Sequence, residues 1–306
     1  MTFRLTALAE PAAGPSSHRL AWLASAPDGT PLGSAFLRLF DSPGQAHLCE
    51  LALDVHPAER RRGAGSALLE AAATAAREDG RRTLLAQAVE GSPGDAFLSA
   101  RGFERALVLE YARLDLTPAD TDTATDTATD TGATEAGGVA GPELPPGYRL
   151  VSWLGSCPEE WLPAFTRART AMDDMPMGDT DFGVVAWDEA RVLAAARAVA
   201  DRGELLHTAA VLETATGDLV GFSELVLPTD RSGDGQHYGT AVQPAHRRRG
   251  LALAMKAEAI RWARAEHHGI TGLRTDTADH NTGMLAVNRA LGYRSTHRAI
   301  EFRLPL

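Results

Sequence analysis

Lysine is almost missing from this chain: Lys256 is the only one among 30 lysines and arginines. Cysteine is scarce too. Cys49 and Cys157 stand alone and far apart, so no disulfide framework is expected. Positive charge is in deficit, with a formal net charge of −10 at pH 7, which argues against nucleic-acid or anionic-membrane partners. No apolar run is long enough to cross a bilayer, and the N-terminus has no basic-then-apolar leader pattern. A cytoplasmic protein with no membrane partner is expected. What is present in quantity is apolar residues, 44% of 306, enough to build folded cores in two domains of ordinary size.

The sequence repeats itself. VQPAHRRRGLALAM at 242–255 echoes VHPAERRRGAGSAL at 55–68: Val, Pro, Ala, three Arg and Gly recur at the same offsets, with Gly63 answering Gly250. Gly102 and Phe103 answer Gly292 and Tyr293, and 110–116 corresponds to 301–306. Three matching stretches in the same order imply an internal duplication. The chain divides into a first repeat at 1–116, a linker at 117–147 and a second repeat at 148–306. The linker is low-complexity Thr, Asp and Ala followed by Gly and Pro; it has nothing to bury and is expected to be disordered and solvated.

Hydrophobic spacing predicts strands at 3–8, 18–24, 31–40, 46–55 and 83–89 in the first repeat, with helices at 65–77 and 95–100. In the second it predicts strands at 148–153, 204–213, 219–227, 236–242 and 273–277, and helices at 158–172, 188–201, 251–268 and 281–291. Each repeat is expected to close on a terminal hairpin. At both echoing stretches a strand is broken by proline, three arginines and a glycine follow, and a helix opens. The first turn of such a helix has backbone N–H groups without intrahelical partners at the positive end of the helix dipole, a seat suited to a pyrophosphate. Gly250 lets the backbone approach an anion and Ala252 keeps the next turn open. Ordinary helix capping is the competing reading.

Arg247, Gly250 and Ala252, following Val242 and Pro244, resemble the acetyl-CoA signature R-x-x-G-x-A of the GCN5-related N-acetyltransferases (GNAT). NTGMLAVNRALGY at 281–293 is similar to that family's second motif, N-x-x-M-x-x-x-N-x-x-L-G-[FY]. The likeness is to tandem actinobacterial members related to mycothiol synthase. It implies an α/β (α+β) chain of two tandem GNAT folds, each a mixed, mostly antiparallel sheet with helices on both faces. It further implies that Val242, Arg247, Arg248, Arg249, Gly250, Leu251 and Ala252 grip acetyl-CoA, with Asn281 and Asn288 on its arm and the Val242 N–H polarising the thioester carbonyl. By the same likeness Val55, Arg60, Arg62, Gly63 and Gly65 form a second turn. GSPGD at 91–95 replaces the asparagine motif there, so the first repeat is expected to be degenerate and the second catalytic.

Acetyl transfer to an amine needs a neutral amine, a polarised carbonyl and a proton for the leaving thiolate. Glu224 and His237, the latter titrating near neutrality, are the candidate bases. Tyr238 or Tyr293 is the candidate acid, because Asn288 stands where many relatives carry tyrosine. Asp173, Asp174 and Asp179, with Asp181, lie on a loop expected to rim the acceptor site and draw in a cationic amine. The expected activity is acetyl-CoA-dependent acylation of a small-molecule amine without a metal. An acyl-CoA-binding sensor or scaffold, a protein or peptide N-acetyltransferase and a hydroxyl acceptor stay open as alternatives, as does the oligomeric state.

Overall fold

A computed structural model of the protein describes residues 3–8, 17–117 and 143–306. Most of the expected linker, 118–142, lies outside the described residues. In chain order the elements are β1 (Arg4–Leu8), β2 (Ser17–Ser25), β3 (Pro31–Phe40), β4 (Leu48–Val55), α1 (Ala64–Glu78), β5 (Thr83–Val89), α2 (Pro93–Ala100) and β6 (Glu104–Asp115). There follow β7 (Tyr148–Leu154), α3 (Leu162–Ala168), α4 (Glu189–Asp201), β8 (Leu205–Glu213), β9 (Leu219–Leu227), β10 (Gly233–Val242), α5 (Leu251–Glu266), β11 (Ile270–Ala278), α6 (Thr282–Ala290) and β12 (Arg294–Pro305). They form two compact units. Unit 1 comprises Met1–Leu109, Pro176–Ala186 and His297–Leu306; unit 2 comprises Glu110–Met175 and Trp187–Thr296.

The sheet of unit 1 runs β1-β2-β3-β4-β5 and then the end of β12. The pairs β1/β2, β2/β3 and β3/β4 are antiparallel, β4/β5 is parallel, and Ala299–Pro305 lies antiparallel to β5. The strand that ends the second repeat therefore belongs to unit 1. Helix α1 buries Ala64, Leu68, Leu69, Ala72, Ala73 and Ala76, a stripe at helical spacing, against Leu37, Leu39, Leu51 and Phe302. Alanine suits this site because the small side chains cost little rotamer entropy in a helix and let its backbone approach the sheet closely. Phe182, from the segment 176–186, packs on Phe40, Leu48 and Leu85.

Unit 2 runs β6 (its second half)-β11-β10-β9-β8-β7. Pairs β7/β8, β8/β9 and β9/β10 are antiparallel and β10/β11 is parallel. Alternate residues face opposite ways: Ala210, Phe222 and Ala241 pack with α3, while Ala209, Val211 and Val242 pack with α5. Helices thus cover both faces. Cys49 and Cys157 are buried free thiols, each pushed up to about 12 by burial.

Two local expectations need correcting. The terminal hairpins are single twelve-residue strands, β6 and β12, since no Gly or Asn offers a turn inside either and the only proline comes at the end of β12. The helix expected from 158 begins at Leu162, with a proline in its first turn, and tightens into a 3-10 turn at Arg169–Met172. Residues 158–161 form a turn closed by the Trp161 N–H on the Pro158 carbonyl (3.0 Å).

Candidate functional site

The site in unit 2 starts from a fork in the sheet. The parallel pairing of β10 with β11 ends at Gln236 opposite Arg274, yet β10 continues against β9 as far as Val242 opposite Gly221. Beyond that last rung the two strands part and the β11-side edge of β10 is unpaired. A register shift between His237 and Gly239 leaves Tyr238 as the extra residue of a bulge, a device that re-aims backbone groups beside sites. Tyr238 is 51% exposed and accepts a hydrogen bond from Arg202 (3.0 Å).

At the end of β10 the chain makes a 3-10 turn at Pro244–His246, passes through Arg248 (φ +60°) and Gly250 (φ +77°), and enters α5. No side chain caps α5, so Leu251, Ala252 and their neighbours present first-turn N–H groups without side-chain partners. A Cβ on Gly250 would point into open space. The three arginines differ in what they do. Arg247 Nε donates to the Val242 carbonyl (2.8 Å), and its two terminal nitrogens hold Asp174 at 2.7 Å each; this pairing keeps the Asp174 carboxyl below the usual carboxylate range. Arg249 donates to the Tyr148 hydroxyl (2.9 Å), which also shares a hydrogen bond with His246 (2.9 Å). Arg248 is exposed and has no side-chain partner among the described residues.

Asn281 caps α6, accepting from the Met284 N–H (3.2 Å). Asn288 is buried; its Nδ2 donates to Thr277 Oγ1 (3.1 Å) on the diverging part of β11, and its Oδ1 has no partner among the described residues. A buried acceptor without a donor is costly. An uncapped helix opening, an open glycine and an orphaned amide oxygen beside the fork fit a ligand with a diphosphate and an amide-bearing arm.

The expected catalytic residues are placed as follows. Glu224 is 6% exposed, and both its oxygens are held by Arg169, one at 2.9 Å. The Arg169 guanidinium stacks within 4.5–4.9 Å of the Phe165, Trp187 and Phe222 rings. His237 is 5% exposed, with neither ring nitrogen bonded among the described residues; burial first, and then the charge of Lys256, drives its pKa well below 6.5. Tyr293 is buried with a hydroxyl that has no partner among the described residues, and burial raises its pKa. Of the loop acids, Asp173 and Asp174 belong to unit 2 and Asp179 to unit 1, where its N–H donates to the Ala106 carbonyl (3.0 Å).

Three residues at the site stand outside every motif of the sequence. Arg169 comes at the end of a helix, with no motif to single it out. Asp276 is on β11, exposed at the fork, with Gln236 Nε2 3.4 Å from its Oδ1; burial around its carboxyl group raises its pKa while Lys256 opposes the shift. Lys256 lies on the apolar face of α5 with 1% exposure; a lone lysine within a helical core stripe was the signal available.

Unit 1 repeats the turn. Its β4/β5 pairing ends at Leu51 opposite Ala86 while β4 runs on to Val55. Arg60 Nε donates to the Val55 carbonyl (3.1 Å), Arg61 takes φ +65° as Arg248 does, and Gly63 (φ +92°) opens α1 without a side-chain cap. Arg62 is paired with Glu59 (2.6 Å). A Cβ on Gly65 would meet Val55 and Phe97 at 3.4 and 3.7 Å. Where unit 2 has Asn281, α2 is capped by Ser92.

Residues 6–103 and 149–293 match the acetyltransferase (GNAT) family. The chain is 28% identical to a mycothiol acetyltransferase of Clavibacter sepedonicus over 296 residues, covering 92% of this chain and 79% of the relative. Among solved structures it is similar to a tandem GNAT protein from the clavulanic acid biosynthesis pathway (TM-score 0.72, 25% identity, 96% of this chain and 84% of that one). It also shares the fold of a GCN5-related N-acetyltransferase from Sphaerobacter thermophilus (TM-score 0.67, 18% identity, 93% and 80% covered). Two forks, two uncapped glycine turns and a family match in both halves lead to one conclusion: the chain is an N-acetyltransferase of the GNAT family, built as a tandem repeat.

Proposed function

We propose that unit 2 transfers the acetyl group of acetyl-CoA to a small-molecule amine, and that the first repeat is a degenerate copy keeping only the phosphate seat. The observation that carries this reading is the joining, in unit 2, of the uncapped α5 opening to a fork with the orphaned Asn288 Oδ1 beside it. The α5 N–H groups and Arg248 would hold the diphosphate; Asn288 Oδ1 would accept from an amide of the arm. Acetyl-CoA supplies the activated acyl group. Backbone N–H groups of β10 on the fork side, Val242 among the candidates, would polarise the carbonyl where β11 no longer occupies them. Asp276, the carboxylate at the fork without an ion-pair partner among the described residues, would take the acceptor's ammonium and help it lose a proton. Glu224, with both oxygens on Arg169, would set the field of the acceptor wall. The relative named mycothiol acetyltransferase supports a small-molecule acceptor.

The test is thiol release from acetyl-CoA with a panel of small cationic amines against a panel of basic peptides. Turnover confined to small amines is expected. Faster turnover with peptides would replace the acceptor class, and no thiol release with either panel would leave a binding protein in place of an enzyme.

A further inference from the structure

At the apex of the fork lies a group that the chemistry above does not use. Lys256 is on the second turn of α5, about 7.5 Å along the helix axis from Leu251, so the helix that opens onto the diphosphate seat also carries this amine. Its Nζ is 3.4 Å from Thr275 Oγ1, and Thr275 is the first β11 residue beyond the last rung with β10. The Nζ also stands 4.9 Å over the Tyr293 ring. No carboxylate lies within ion-pair distance of it among the described residues. A buried amine without a counter-ion contributes nothing as a salt bridge and costs free energy when charged. All other basic side chains of the Lys/Arg type here are arginine, which does not release its proton in this pH range; lysine does once it is desolvated. The one lysine thus lies buried beside the point where β10 and β11 stop pairing.

We propose that Lys256 delivers the proton that the departing thiolate needs, a role that rests on the acetyl transfer assigned to unit 2. As the acceptor nitrogen bonds to the acyl carbon, the C–S bond breaks and its electron pair stays with sulfur, which takes a proton from the Nζ ammonium. The acceptor nitrogen sheds its own proton to Asp276, whose charge acts on Lys256, and a proton is returned to Lys256 before the next turnover. The products are the amide and the free thiol.

The neighbours of Nζ allow this. From β10, His237 is kept neutral by burial; from β8, His207, which acts on His237, is lowered to about 4. Tyr293, just before β12, stays protonated, because burial raises its pKa and outweighs the charge of Arg264 of α5. Among the described residues Asp276 of β11 favours the charged amine, and burial outweighs it, bringing Lys256 to about 7. A proton donor with a pKa near the working pH is the efficient kind.

The single lysine makes the test direct. Protein labelled in lysine gives one side-chain NMR signal. Its titration midpoint is expected near 7, and CoA, the thiol product, should shift the signal. Lys256→Met and Lys256→Arg should each lower kcat by about 10²–10⁴-fold, leave KM for acetyl-CoA nearly unchanged and remove the alkaline limb of the kcat profile, with melting curves confirming folded protein. A midpoint at the ordinary lysine value with a signal unmoved by CoA overturns the proposal, whatever the variants do. So does wild-type kcat in folded Lys256→Met; if Gly250→Asp still abolishes thiol release in that case, the reading of unit 2 stands without Lys256.

Discussion

Glu224 and Asp276 carry the same chemical group into opposite surroundings. Glu224 is sealed against Arg169 under three aromatic rings, and removing one partner leaves the other's charge buried alone. Glu224→Ala should therefore destabilise by roughly 3–5 kcal/mol in urea unfolding at pH 7, and adding Arg169→Met should recover much of that. A loss under about 1 kcal/mol would mean that the pair is solvated. Lys256 makes a second prediction at this scale. Burial lowers its pKa from 10.5 to about 7, so between those values the unfolded chain binds a proton that the folded chain lacks. Stability from this group should rise with pH across that window, by about 1.4 kcal/mol per pH unit, with the full penalty present below pH 7. Unfolding measured from pH 7 to 9 should show this slope in the wild type and lose it in Lys256→Met; identical slopes would contradict the burial of a titrating amine. His237, whose pKa is also lowered, adds a pH dependence only below about 6.5, where the unfolded imidazole takes up its proton.

At the scale of elements, α5 and its approach were the most legible part of the chain. A proline, three arginines and a glycine state a turn with φ above zero and a helix opening, and both copies have it. Asn281 as the cap of α6 was equally readable, because capping is local. Strand pairing is not local, so the fork, the Tyr238 bulge and the surroundings of Lys256 and Asp276 were hidden: each depends on where β10 leaves β11. The same limit explains the mistaken hairpins, since Gly102 and Gly292 announce a turn before the last strand and say nothing of where that strand pairs. The Asp174–Arg247 pair closes across 73 residues, a spacing no motif encodes. At this scale Gly250→Ala is expected to weaken CoA binding only several-fold, through the roughly 1 kcal/mol cost of a left-handed φ for alanine, because the space beside its Cα is open. A loss as large as that caused by aspartate would mean that the backbone there tolerates no Cβ.

For the molecule as a whole, duplication was legible from the repeated words, while the make-up of the units was not. Each unit takes one strand segment from the other repeat: 297–306 belongs to unit 1 and 110–115 to unit 2. The first repeat has residues 9–16 where the second has 155–204, with α3 and α4, so the wall bearing Arg169 has no counterpart of similar length in it. The uncapped glycine turn occurs twice, and the remaining parts of the proposed chemistry, Asn281, Asn288, Lys256 and Asp276, occur in unit 2. The most direct test of this account is calorimetric titration of CoA into the wild type, Gly63→Asp and Gly250→Asp, with acetyl-CoA turnover measured on the same samples. Gly250→Asp should lose turnover together with the binding event assigned to unit 2, by clash and charge repulsion at the α5 opening, while Gly63→Asp keeps turnover. Unchanged CoA affinity and turnover in Gly250→Asp, or turnover lost only in Gly63→Asp, would contradict it.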